Sequence, residues 1–198
     1  MVRPRLVTDH QILDAARACF LTHGPGVSTS HIAKELGVSQ ATLFKRFGSK
    51  DALMLKALHP GNQAPDWDAL GAPPDGRPVP EQLVERGVVV LRFLNVILPC
   101  IAVLRAHSAE MTASMVRSDN SPPRRALQAT AAFFDALVAD GRMAPCDTES
   151  VAIMWLGALR NHAFWSTMMP DLALSTQEQY VQVMAQTFWQ GLGPKEIR

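Results

Sequence analysis

Residues 37–50 read GVSQATLFKRFGSK, an apolar frame of Val38, Leu43 and Phe47 with polar and basic side chains set between them. Gln40, Thr42, Lys45, Arg46 and Lys50 occupy positions that this frame does not cover, and Phe44 fits neither set. Whether those side chains face water, another protein or something carrying regular negative charge depends on the elements on either side. Ser28 offers a cap for a helix that turns Ile32, Ala33 and Leu36 inward and ends at Gly37, and Ser39 caps a short helix running through Phe47. Gly48 breaks that helix and Ser49 opens the next, KDALMLKAL. Upstream, Thr8 and Gln11 have the pattern of a capping box before a helix whose buried face is Ile12, Leu13, Ala16, Cys19 and Phe20, and Gly24, Pro25 and Gly26 stop it.

The second helix, its three-residue turn and the third helix have the spacing of a helix-turn-helix. Ala33 is small where the helices must cross, Gly37 stands where the turn wants a positive φ, and Val38, Leu43 and Phe47 plug the angle between them. That packing leaves Gln40, Ala41 and Thr42 on the exposed first turn of the second helix of the pair, the part that enters a major groove. Gln pairs with the N6/N7 edge of adenine, Thr bonds a base or touches a thymine methyl, and Ala41 leaves room for close approach. Lys45 and Arg46 flank them. Lys50, in the first turn of the fourth helix, is unfavourable to that helix's dipole and makes sense opposite a phosphate. Basic residues on a short helix, taken alone, describe a solvated face; the caps, small crossing residue, glycine turn and apolar plug taken together predict DNA binding.

Charge is distributed accordingly. Residues 1–59 hold eight Lys/Arg and four Asp/Glu, whereas the rest of the 198-residue chain holds eleven and fourteen. A basic N-terminal third on a mildly acidic body suits a nucleic acid or acidic surface at that end. Cys19, Cys100 and Cys146 lie far apart without a C-x-x-C or a histidine at ligand spacing, so neither a disulfide framework nor a zinc site is expected, no cofactor is implied, and a reducing cytoplasm is the expected compartment. The N-terminus lacks the apolar run of a signal peptide. The longest apolar stretch, VVVLRFLNVILPCIAVL at 88–104, carries Arg92, Asn95 and Pro99 and is expected as a buried helix of a soluble body rather than a membrane span.

Residues 59–80, HPGNQAPDWDALGAPPDGRPVP, concentrate Pro, Gly and Asp without apolar periodicity and read as a linker between residues 1–50, with helix four at 49–59, and a body at 81–198. The body is predicted all-α, with helices at about 81–106, 107–118, 122–140, 148–169 and 176–191, supported by Pro122 and Pro123 in a first turn, Gly141 after an end, Asp147 as a cap and a box from Ser175 to Glu178. The whole chain is therefore expected to be all-α, with about nine helices.

Residues 12–53, ILDAARACFLTHGPGVSTSHIAKELGVSQATLFKRFGSKDAL, resemble the DNA-binding domain of the TetR family of bacterial transcriptional regulators, through the I-A-x-x-x-G-V-S and F-x-S-K elements above all. The resemblance implies three N-terminal helices, a linking fourth, and an all-α ligand-binding and dimerisation domain. It places Ser28 and Ser30 near the DNA backbone or a base, has Gln40, Ala41 and Thr42 read base edges, and lays Phe44, Lys45, Arg46 and Lys50 along the phosphates. The family usually has tyrosine where this chain has Phe44, which cannot donate a hydroxyl to a phosphate, and the 59–80 segment looks longer and richer in proline than usual. Double-stranded DNA with a palindromic operator, a second copy of the chain and a small hydrophobic effector are the implied partners; no membrane is.

For the effector, Phe93, Asn95, Ile97 and Cys100 on the first body helix, His107, Met111 and Met115 beyond it, and Phe133, Phe134, Trp155 and Phe164 are candidate pocket residues, each of which also reads as simple core. Pro99 is expected to kink its helix and free the carbonyl of Asn95. Residues 151–169 and 180–192 are apolar nearly all round, so each needs cover on more than one face; Leu159, His162, Met184 and Phe188 are the candidates for a dimer face. A two-fold dimer presents its reading helices about 34–36 Å apart, one DNA turn. The leading reading is a ligand-responsive repressor. Its rivals are a DNA-binding architectural or assembly factor without effector, a redox sensor at Cys100, and an enzyme, for which no nucleophile motif or metal spacing is present.

Overall fold

The structure, a computed structural model, describes residues 7–59, 64–117, 119–169, 171 and 175–192, with the backbone alone for residues 111 and 114–116. The described residues are helical or irregular, with ten helices among them and no strand. The nine expected helices all have counterparts; the tenth lies in the stretch read as a linker. The chain divides into two compact units.

The first unit contains α1 (Asp9–His23), α2 (Thr29–Leu36), α3 (Gln40–Phe47) and α4 (Lys50–Ala57), together with Pro99–Met115. Local chemistry starts each helix. Thr8 and Gln11 form the expected capping box on α1, and Ser28, Ser39 and Ser49 each accept the N–H of the third residue onward, His31, Thr42 and Ala52. Gly37, at φ 65° and ψ 28°, ends α2, and the Val38 N–H reaches back to the Ala33 carbonyl at 3.0 Å, a closure that needs a left-handed residue between. Ile12, Ala16, Phe20, Ile32, Leu43, Leu53 and Met54 then form a core in which none is more than 1% exposed.

The second unit contains α5 (Trp67–Gly71), α6 (Val79–His107) up to Leu98, α8 (Pro122–Ala139), α9 (Thr148–Met168) and α10 (Gln177–Leu192). Between α6 and α8 runs α7 (Ala109–Arg117). Helix α6 is long and apolar enough to cross a membrane by composition, but its Leu83, Leu91, Ile97, Cys100 and Leu104 are buried within the protein. It continues as helix through Pro99, the point at which the chain passes from one unit to the other.

Residues 64–80 are not a free linker. Asp66 caps α5 through the N–H groups of Asp68 and Ala69, and Trp67 is 4% exposed with its ring edge-on to Phe93 at 5.5 Å. The Arg86 guanidinium donates to the carbonyls of Leu70 and Ala72 at 3.2 and 3.1 Å and lies 3.9 Å from the centre of the Phe133 ring. Gln82, fully buried, accepts from the Asp75 N–H and donates to the carbonyls of Asp75 and Arg77. Side-chain bonds from Gln82 and Arg86 thus order a stretch whose lack of apolar periodicity suggested a linker. The capping box predicted from Ser175 to Glu178 also falls one residue later: Thr176 and Gln179 exchange the two bonds.

Close packing in this unit turns on Gly87 of α6, where a β-carbon would stand 2.6 Å from Val181 Cγ1 and 3.1 Å from Trp155 Cζ2. Both neighbours are core side chains, 0% and 2% exposed, that cannot swing away. Gly87→Ala should therefore destabilise the protein by about 1–3 kcal/mol by overpacking, despite alanine's better helix propensity. Chemical denaturation checks this, and an alanine variant as stable as the parent would show that α6 can move away from α10 at this point.

Candidate nucleic-acid interface

Burial sorts the residues of α3 as the sequence does. Leu43 and Phe47 are 1% and 6% exposed, Val38 is half-buried, and Gln40, Ala41, Phe44, Lys45 and Arg46 lie on the exposed side. Phe44 keeps 41% of its surface exposed, a large apolar ring on an otherwise polar face. Thr42 and Lys50 are half-buried at the first turns of α3 and α4. Helix α3 is only 8 residues long, below the length at which an isolated helix persists in water, so its caps and its two buried side chains hold it.

The polar groups of this face are already engaged with one another. Gln40 Nε2 donates to Thr29 Oγ1 at 2.7 Å, and Ser30 Oγ donates to Gln40 Oε1 at 3.1 Å, so the first turns of α2 and α3 are tied through one carboxamide. Thr29, 7% exposed, carries no sequence signal of this role, since no local pattern announces a partner eleven residues away. Ser28 accepts from the His31 N–H at 3.1 Å, leaving its hydroxyl proton to donate outward. Thr42 Oγ1 lies 2.8 Å from Ser39 Oγ. Arg46 does not extend freely along the face: its guanidinium donates to the Val7 carbonyl and reaches Asp9 at 3.3 Å, at the start of α1. Two further contacts escaped the sequence. Lys56 stands over the Phe47 ring at 5.6 Å, and His107 Nε2 lies 3.1 Å from Asp51 Oδ1, next to Lys50.

Comparison with known proteins agrees with this geometry. Residues 12–57 match the family described as bacterial regulatory proteins, TetR family. These residues form a TetR-family helix-turn-helix domain. Many solved structures share the fold over nearly the whole chain. A TetR family transcriptional regulator from Pseudomonas syringae is 25% identical, with 96% of this chain and 100% of that one aligned at a TM-score of 0.67. SmeT, the repressor of the Stenotrophomonas maltophilia multidrug efflux pump SmeDEF, is 16% identical, with 98% and 94% aligned at 0.69. NalD, the secondary repressor of the MexAB-OprM multidrug efflux pump in Pseudomonas aeruginosa, is 16% identical, with 93% and 96% aligned at 0.68. No curated protein matches the chain in sequence at a significant level.

After the TetR-family domain in sequence, the candidate pocket residues separate. Phe133, Phe134 and Trp155 sit together in the core of the second unit, each no more than 2% exposed, and Phe93 packs on Trp67. Ile97 is also buried, and the Asn95 Nδ2 is buried without a hydrogen-bond partner. Cys100 and His107 belong to the first unit, Cys100 fully buried with its thiol pushed up by desolvation, with Arg17 opposing that shift. Phe164 is a surface residue, 48% exposed, and the side chains of Met111 and Met115 lie outside the described residues.

Of the four residues expected at a dimer face, two turn inward and two line an open groove. Leu159 and His162 are 0% and 6% exposed: Leu159 lies in the core of its own chain, and the His162 ring stacks 4.3 Å from that of Tyr180. Met184 and Phe188 are partly buried, with Phe188 against Trp155 and Phe134. The apolar surface that remains open is a different set: Ile153, Met154, Phe164, Trp165 and Met168 on α9, and Val183 on α10. An open groove of about 480 Å³ runs beside it, lined by Met154, Tyr180, Val183, Met184, Phe188 and Leu192 among others.

The cap on α3 offers a direct test of how this face is held. Ser39→Ala removes the acceptor for the Thr42 N–H and the partner of the Thr42 hydroxyl. It should cost about 1 kcal/mol of stability and raise amide exchange through the first turn of α3 before any other element. Exchange that rises uniformly through the first unit would show that the cap is not what orders this turn.

Proposed function

We propose that the protein is a homodimeric, ligand-responsive transcriptional repressor that reads a near-palindromic DNA operator and is released from it by a small hydrophobic effector. The observation that carries the reading is the first turn of α3, where Gln40 and Ala41 are exposed above a buried Leu43 and Phe47 within a domain of the TetR family. Such a turn fits a major groove, with Gln40, Ala41 and Thr42 toward base edges. Ser28, Lys45 and Lys50 then meet the backbone, Ser30 stands beside the bases with its hydroxyl proton given to Gln40, and Arg46 joins the backbone set by exchanging Asp9 for a phosphate. Phe44 packs its exposed ring beside a sugar without the hydroxyl a tyrosine would add.

Two features of the body support the rest. The open apolar stripe on α9 and α10 suits a second copy of the chain, which sets two reading helices about one DNA turn apart. The buried Asn95 Nδ2 is a donor without a partner, and an apolar effector carrying a carbonyl-type acceptor would satisfy it. SmeT and NalD, similar in fold, are described as repressors of efflux pumps, and a hydrophobic effector agrees with that company. The protein then works in the bacterial cytoplasm, on the nucleoid, and binding of the effector favours a dimer geometry that no longer matches successive grooves.

Selection of bound DNA from a random pool tests the reading. A near-palindrome with half-sites about 10 base pairs apart centre to centre should be enriched, and a pool without enrichment would sink it. On the selected site, Lys50→Ala should weaken binding to all sequences alike and lower the salt slope by about one unit; an unchanged slope removes Lys50 from the phosphate set. Ile153→Lys combined with Val183→Lys, both at exposed positions, should leave the fold intact and convert dimer to monomer in analytical ultracentrifugation. A dimer that survives both changes is built on another face.

A further inference from the structure

We infer that Thr29, together with Ser30, is a positioning residue that fixes the base choice of Gln40 by holding its carboxamide from the neighbouring helix. The inference rests on the reading above, in which Gln40 faces base edges. Its basis is the pair of bonds at 2.7 Å to Thr29 and 3.1 Å from Ser30, of which the Thr29 partner is 7% exposed and the Ser30 partner is on the surface.

A carboxamide carries two N–H donors on nitrogen and two lone pairs on oxygen. Whichever way the amide is turned, the two hydroxyls of α2 take one group at its nitrogen and one at its oxygen. One donor and one acceptor are left. Adenine presents one acceptor, N7, and one donor, N6–H, in the major groove, so the remaining groups satisfy it fully. Guanine presents two acceptors, N7 and O6, and meets only one donor. The α2 hydroxyls thus turn a side chain that could otherwise rotate to suit several bases into a reader of one. Thr29 is suited to this because its backbone is fixed in the first turn of α2 and its hydroxyl is shielded from water, so losing the bond to Gln40 leaves a buried polar group unpaired.

Thr29→Val keeps the shape and removes the hydroxyl, Thr29→Ser restores it, and Ser30→Ala removes the second tie from an exposed position that the fold does not need. Each is compared with the parent and with Gln40→Ala on the selected operator, varied one base pair at a time, with melting temperature and salt slope recorded. The expected result is that Thr29→Val and Ser30→Ala reduce discrimination roughly tenfold at the one base pair that Gln40→Ala also affects, while in Thr29→Val affinity for scrambled DNA and the salt slope stay as in the parent and Thr29→Ser retains full discrimination. Full discrimination in both Thr29→Val and Ser30→Ala, with loss only in Gln40→Ala, overturns the inference and leaves the base-reading role of Gln40 standing. A loss of affinity equal for all sequences in Thr29→Val, beside an unchanged Ser30→Ala, also overturns it, because Thr29 then serves only the fold. If Gln40→Ala itself discriminates as the parent does, the assignment of α3 to the groove is wrong and the inference falls with it.

Discussion

The bond from the Val38 N–H to the Ala33 carbonyl, closed at 3.0 Å over Gly37 at φ 65°, is the constraint on which the N-terminal unit depends. A residue with a β-carbon in that left-handed conformation would cost about 1–2 kcal/mol. The closure turns the chain sharply enough for α3 to follow α2 with only three residues between them, Ser39 among them as the cap. A helix of 8 residues has little stability of its own, so its direction is dictated by where Leu43 and Phe47 find cover. Everything exposed on α3 is exposed because those two side chains are not.

Electrostatics refines that surface without creating it. Arg46 and Lys45 are neighbours in sequence, but the guanidinium of Arg46 is drawn to the start of α1 by Val7 and Asp9. An exposed ion pair of this kind is worth about 0.2–1 kcal/mol, little enough for a phosphate to displace Asp9. The basic excess of the first 59 residues therefore overstates the number of cations poised on one face. The polar ties between α2 and α3 act in the other direction. They lower the freedom of the Gln40 side chain, which would reduce the ordering cost of any contact that it makes beyond the chain.

What could be read from the sequence was what is local. The caps at Thr8, Ser28, Ser39 and Ser49 and the turn at Gly37 depend on residues within five positions of each other, and each stands where the pattern put it. The carboxamide link of Gln40 spans ten and eleven residues, and the Gln82 and Arg86 bonds that organise residues 70–77 have no periodic signature. Composition alone made that segment look like a linker. The capping box expected from Ser175 to Glu178 stands at Thr176 and Gln179, one residue on, because the choice between adjacent hydroxyls is made by the backbone geometry at the helix start. Helix α9 failed for a different reason: with apolar residues nearly all round, it gives no phase by which to tell an inward face from an outward one. Leu159 and His162 therefore read as well outward as inward, and packing against α6 and α10 takes them in.

Once the phase of α9 is known, its outer face has an order of its own. Residues 153, 154, 164, 165 and 168 are spaced by one, ten, one and three, which at 3.6 residues per turn puts them on one stripe. Met168 and Met154 are 61% and 56% exposed, and Val183 of α10 is 63% exposed. Scattered apolar residues on a surface need no explanation, but a stripe aligned along one helix beside an apolar groove does. Trp155, one residue from Met154, is buried in the same helix, so α9 has enough apolar side chains for its core without this second face. The stripe is surplus to the single chain, and that surplus is the physical argument for a partner of the same shape. A second copy would present the identical helix, and a two-fold axis would bring the matching apolar faces together.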